Sequence, residues 1–193
     1  MLKYYDYATT MAEFPDEISL SINISNCPGN CGHTDENGKF HLDCSEPWLL
    51  EDVGEELTEE KIDSLISKHP GITVFGLMGG DSDHKDVVRV ANYIHEKYPE
   101  LKVGMYSGRE FLDMDLLNSL DLYKIGRWIM PKGPVEEWKN YNCGPIVLPI
   151  SNQLLFEKVI NPITKDVHWV NVTYKFRKNV INDWTKTIIY NND

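Results

Sequence analysis

A chain of 193 residues with 41% hydrophobic and 25% charged side chains has the length and balance of one globular domain with a substantial core. Its net charge of −11 argues against a nucleic-acid partner, because neutralising phosphates takes a basic face. Four cysteines are too few for a secreted disulfide scaffold, no apolar run reaches the length of a membrane span, and residues 1–5 lack the apolar segment of a signal peptide; the expectation is a cytoplasmic protein that keeps its thiols for a metal.

In chain order, the residues before Ile18 are polar and aromatic without a clear period and are expected to cover a barrel edge. Over residues 18–25, Ile18, Leu20, Ile22 and Ile24 alternate with Ser19, Ser21, Asn23 and Ser25, the period-two pattern of a strand with one buried face. A cysteine-bearing loop occupies 26–48, and the acidic connector over 51–56 reads as a solvated approach to a helix. Thr58 caps that helix, Glu59 and Glu60 suit its positive end, Ile62, Leu65 and Ile66 mark its apolar side, and His69-Pro70-Gly71 ends it. Residues 72–77 read as a second strand, stopped by Gly79-Gly80. Asp83 caps a second helix that carries Val87, Val90, Ala91 and Ile94 on one face as far as Pro99. Further strands are expected at 102–106, 122–125 and 147–148, and a helix over 111–120 through Leu112, Leu116, Leu117 and Leu120. This alternation implies right-handed crossovers and an α/β fold with a mostly parallel sheet and flanking helices, with ligands at the carboxyl ends of the strands. The tail, 161–193, is aromatic and β-leaning, and the whole chain reads as one domain with its core at about 18–160.

The loop over 26–48 carries Cys27, Cys31 and Cys44, with His33 and His41 between them. Pro28-Gly29-Asn30 lets the backbone curl so that Cys27 and Cys31 face a common centre. Three readings fit: unrelated thiols in a loop, a structural zinc site using the three cysteines with His33 or His41, or an iron–sulfur cluster on three cysteines with one iron open. Spacing alone does not choose among them. Cys143 is far away in sequence and reads as an incidental thiol, and the two histidines as residues that hydrogen-bond locally. Gly79-Gly80-Asp81, between a strand and a helix, is either punctuation or a place where backbone carbonyls approach a ligand.

Taken together, these residues resemble the radical S-adenosylmethionine (SAM) enzymes, and more closely the glycyl-radical activating proteins of anaerobic ribonucleoside-triphosphate reductase. The matches are Cys27, Cys31 and Cys44 with Trp48, then Gly79-Gly80-Asp81, Tyr106-Ser107-Gly108, Asp121 with Gly126, and Ser151-Asn152-Gln153, in the family's order. The chain departs from the family in three places. Twelve residues, 32–43, separate the second and third cysteines where two are usual; Asp43 stands where the aromatic residue before the third cysteine belongs, and Ile125 where an acidic residue precedes the glycine of the fourth strand. Asn37-Gly38 marks the insert as a hairpin with a type I′ turn that returns Cys44 to the others.

The resemblance implies a partial (β/α) barrel and a 4Fe–4S cluster on Cys27, Cys31 and Cys44 whose open iron takes the amino and carboxylate groups of SAM. It implies SAM contacts from Gly79, Gly80, Asp81, Ser107 and Asn152, and reductive cleavage of SAM to methionine and a 5′-deoxyadenosyl radical. The radical would abstract hydrogen from a glycine of the anaerobic reductase, with flavodoxin or ferredoxin as electron donor and neither nucleic acid nor membrane as partner. The competing expectations are a zinc-stabilised adaptor without activity and a radical SAM enzyme with another substrate.

Overall fold

A computed structural model of the protein describes residues 1–44, 46–128, 153–176 and 190–191. Its strands are β1 (Lys3–Thr10), β2 (Ser19–Ile24), β3 (Gly32–Thr34), β4 (Phe40–Leu42), β5 (Glu55–Glu56) and β6 (Val74–Met78). They continue with β7 (Lys102–Tyr106), β8 (Leu122–Ile125), β9 (Leu154–Ile160), β10 (Val167–Asn171) and β11 (Tyr190–Asn191). The helices are α1 (Glu59–Lys68), α2 (His84–Lys97) and α3 (Met114–Ser119). Nine strands pair in the order β11-β10-β9-β8-β7-β6-β2-β1-β5, and β3 with β4 forms a separate hairpin.

The parallel sheet read from the sequence is its centre, β2-β6-β7-β8. Both flanks are antiparallel, β1 on β2 and β9 on β8, so the sheet as a whole is mixed, and the described residues contain three α-helices rather than one after every strand. The flanks were invisible to periodicity. Along β1 only Tyr4 is buried, so its apolar side chains do not alternate, and the acidic 51–56 segment contributes a strand, β5, that pairs with Lys3 and Tyr4. The expected strand at 147–148 lies outside the described residues.

Caps set the helix boundaries. Thr58 Oγ1 accepts from Lys61 N at 3.3 Å and Asp83 Oδ1 from Asp86 N at 3.1 Å, as expected. The third helix starts later than its apolar pattern: Asp113 Oδ1 accepts from Asp115 N at 3.0 Å, which places the cap beyond Phe111 and leaves that ring exposed. On the helix side, Ile62, Leu65, Val87, Val90, Ile94 and Leu116 pack on Leu20, Ile22, Phe75, Leu77, Val103, Met105 and Tyr123, all buried.

Because side chains alternate along a strand, the other face is made of the intervening residues. Register aligns Ser21, Gly76, Gly104 and Leu122 in one row, and Asn23, Met78, Tyr106 and Lys124 in the next. The two glycines make room for Phe14, which is fully buried: a Cβ on Gly104 would lie 2.5 Å from the Phe14 ring, and one on Gly76 at 2.9 Å from it. Phe14 therefore fills this face below the second row. Gly104→Ala is expected to destabilise the protein by about 1–3 kcal/mol through overpacking. Phe14→Leu, by yielding volume, should recover part of that loss in the double variant; chemical denaturation of the four proteins measures it, and simple additivity would contradict the contact.

Candidate metal centre

The cysteine loop leaves β2 and returns along itself. Cys27 N donates to Leu49 O at 2.9 Å, Asn26 N to Glu51 O at 3.1 Å, and Ser25 Oγ to Val53 O at 2.7 Å, so the two legs form a stem. The expected hairpin within the loop is present as β3 and β4, and Asp43 N donates to Cys31 O at 3.1 Å at its base, bringing Cys44 back beside Cys31. Its turn differs from the type I′ expected. Gly38 alone of residues 35–39 has positive φ, 80°, with Gly38 N donating to Asp35 O and Asp35 N to Lys39 O, so the connection is a type I turn closed by a glycine bulge. Asp35 Oδ1 stabilises it by accepting from Asn37 N and Lys39 N, both at 2.9 Å.

Cys27, Cys31 and Cys44 line one cavity of about 530 Å³ at the carboxyl ends of β2, β6, β7 and β8. Burial pushes the Cys27 thiol above its usual range; a backbone bond from Gly29 lowers it, and Asp81, Cys31 and Cys44 raise it further. Cys31 is likewise raised, first by burial, against the Trp128 N–H, which donates to its sulfur at 3.2 Å. Cys31 and Cys44 thus oppose the ionisation of Cys27, and Cys44 that of Cys31.

His33 Nδ1 bonds Asp43 at 2.7 Å and His41 Nε2 bonds Asp35 at 2.8 Å, and the two rings stack 5.2 Å apart, so both histidines serve the hairpin, as expected. Among the described residues no three His, Cys, Asp or Glu side chains converge as a single ion requires. Backbone N–H groups aimed at Cys27 and Cys31 are what thiolate sulfurs of a cluster accept.

Of the residues expected to hold SAM, Gly79, Asp81 and Ser107 border this cavity. Gly79 has φ 91°, which favours glycine there. Gly80 is turned the other way: a Cβ on it would meet Val87 at 2.9 Å and Met105 at 3.2 Å, so its missing side chain serves core packing. Asn152, with Ser151 and Cys143, lies outside the described residues. Trp48 is 45% exposed, whereas its neighbour Leu49 borders the cavity. Asp121 sits at the far end of β8, accepting from Val103 N at 2.8 Å and pairing with His95, and takes no part in the site. Gln153 does: its Nε2 donates to Gly126 O at 2.9 Å, while Oε1 and Trp128 Nε1 are buried without a partner among the described residues.

Lys124 escaped the motif reading. It is buried at the cavity wall, its Nζ lies 3.9 Å from the centroid of the Tyr106 ring, and no carboxylate among the described residues pairs with it. Tyr106 is held in turn by donating its hydroxyl to Glu13 O. Burial depresses the Lys124 ammonium to about 8, against the raising influence of Glu13 and Cys31. A lysine among Leu122, Tyr123 and Ile125 of a buried strand was a visible signal, since an apolar strand carries a charge only at a cost.

No protein-family model, curated protein or solved structure matches the chain. The residues of the site must therefore speak for it.

A lysine that falls from 10.5 to about 8 on folding destabilises the native state by roughly 3 kcal/mol below that pH. Between the two values the unfolded chain binds more protons, so stability rises with pH across this window. Lys124→Met should be the more stable protein at pH 7, with the gap to wild type closing towards pH 10. Metal-free urea melts of both proteins across that range check it; a constant gap would show that Lys124 is not held in a depressed state.

Proposed function

We propose that the protein is a radical SAM activase that generates a glycyl radical on an anaerobic ribonucleotide reductase, with the partial barrel of that family as its fold. The observation that carries this reading is the meeting of three thiols from one loop with a buried ammonium, without a salt bridge among the described residues, on a single cavity at the carboxyl ends of four parallel strands. In this reading Cys27, Cys31 and Cys44 hold a 4Fe–4S cluster, and Gly29 and Trp128 donate N–H groups to two of the sulfurs. When bound and reduced, such a cluster supplies the electron that cleaves the carbon–sulfur bond of SAM, giving methionine and a 5′-deoxyadenosyl radical.

The chain's own residues bind, orient and shield. Lys124, buried at the cavity wall, would offer its ammonium to the carboxylate of SAM. The backbone at Gly79 comes close to the ligand because its αL conformation turns the strand end into the cavity wall. Phe14 fills the sheet face below the cavity, packed on Gly76 and Gly104. The opposite end remains for a glycine-bearing segment of a protein substrate and for flavodoxin or ferredoxin as electron donor.

The test is anaerobic reconstitution with iron and sulfide followed by reduction. The expected result is a 4Fe–4S electron paramagnetic resonance signal that changes on adding SAM, 5′-deoxyadenosine as product, and a glycyl radical on the anaerobic reductase of the same source. Cys31→Ser should lose the cluster and Cys143→Ser should keep it. Formation of 5′-deoxyadenosine without a radical on that partner would retain the chemistry and discard the reductase. Protein that takes up only zinc would favour the adaptor instead.

A further inference from the structure

Asp81, the third residue of the Gly-Gly-Asp run, borders the cavity, yet its side chain is 1% exposed. Both of its oxygens are engaged inside the protein. Oδ1 accepts from Ser107 Oγ at 2.7 Å, and Oδ2 accepts from Gly108 N at 2.8 Å. His84 approaches the same carboxylate at 3.4 Å and Arg109 at 3.7 Å, so its charge is compensated from behind. These bonds tie the exit of β6 to the exit of β7.

The tied turn is in contact with the cysteine loop. A Cβ on Gly108 would lie 3.1 Å from Asn30 Cβ and 3.6 Å from Cys31 Sγ, which means that the Gly108 backbone is packed directly on that loop. The Cys31 sulfur also accepts a hydrogen bond from Trp128 N, at 3.2 Å, from the chain just beyond β8. Cys31 is therefore seated between the ends of β7 and β8, and Asp81 fixes one of the two seats.

We infer that Asp81 is a positioning residue for Cys31: it latches the Ser107–Gly108 turn so that Gly108 packs on the cysteine loop, and it does not itself contact a ligand in the cavity. The inference rests on the proposed function only in treating Cys31 as a cluster ligand. A carboxylate suits the task because one residue accepts from a hydroxyl and a backbone N–H at once, and because a charged acceptor strengthens both bonds. Asparagine accepts through one oxygen only and would leave one donor facing an amide nitrogen.

The test uses metal-free, reduced protein and needs neither iron nor SAM, so it stands or falls apart from the radical SAM reading. Two quantities are measured: amide hydrogen exchange at Gly108, and the ratio of Cys31 to Cys27 alkylation by iodoacetamide. Asp81→Ala should speed Gly108 exchange about tenfold or more, because a buried N–H loses its acceptor. It should also raise the alkylation ratio several-fold, as Cys31 loses its seat while Cys27, held through Leu49 and Gly29, does not. Ser107→Ala leaves the Gly108 bond in place and should change both quantities by less than about threefold. If Asp81→Ala does not fold, Asp81→Asn is read instead, with the same directions expected. Exchange and alkylation ratio both at wild-type values in a folded Asp81 variant would overturn the inference.

Discussion

Four parallel strands in register end level with one another, and everything in the site follows from that edge. Because β2, β6, β7 and β8 pair residue for residue, Asn23, Met78, Tyr106 and Lys124 stand in one row facing the cavity, and the segment after each strand opens onto it. The cysteine loop, the Gly79 turn, the Ser107–Gly108 turn and Gly126 are thus neighbours although up to a hundred residues apart in the chain. A slip of one residue in any pair would exchange this row for the apolar row beneath the helices. The buried side chains Ile22, Leu77, Met105 and Tyr123 make such a slip costly, so the helix-side core is what guarantees the geometry of the opposite face.

The electrostatics of the cavity are unbalanced as the protein stands. The thiols of Cys27 and Cys31 are raised first by burial, with Cys31 and Cys44 raising Cys27 further, and Lys124 is depressed by burial against the influence of Glu13 and Cys31, with no salt bridge to a described carboxylate. Each group would return towards its ionised form if the opposite charge were delivered: a cation for the thiols, an anion for the ammonium. One ligand system that brings both, a positively charged metal core and a molecule with a free carboxylate, satisfies the whole set. A metal alone would satisfy only the cysteines.

Much of the centre of the fold was legible because it obeys strong local rules. The strands 102–106 and 122–125 coincide with β7 and β8, and Thr58 and Asp83 start α1 and α2 as caps. The flanking strands were not legible, for a physical reason: β1 and the acidic β5 are paired through their backbones while their side chains are mostly exposed, so no apolar period records them. In the site, the three cysteines announced themselves by type and spacing, and the hairpin by its Asn-Gly pair. The orientation of side chains did not. Gly79 and Gly80 are adjacent and identical in type, yet one turns into the cavity and the other into the core, which only the αL bend at Gly79 decides. Asp81 read as a ligand contact, and the sequence could not show that both of its oxygens are bonded to Ser107 and Gly108 inside the protein.

Phe14 gives the cavity its direction. Without it, Gly76 and Gly104 would leave a trough running down the face of the sheet away from the cysteine loop. With the ring seated there, and with Ala12 and Glu13 from the same segment bordering the cavity, the N-terminal stretch blocks that route. The space above the row of Asn23, Met78, Tyr106 and Lys124 then opens towards the strand ends, where the cysteine hairpin presents the half-exposed Phe40 and Leu42. A small substrate bound within the sheet would need depth that Phe14 occupies. Among the described residues, the room at this site therefore lies above the row of Asn23, Met78, Tyr106 and Lys124, next to the three cysteines.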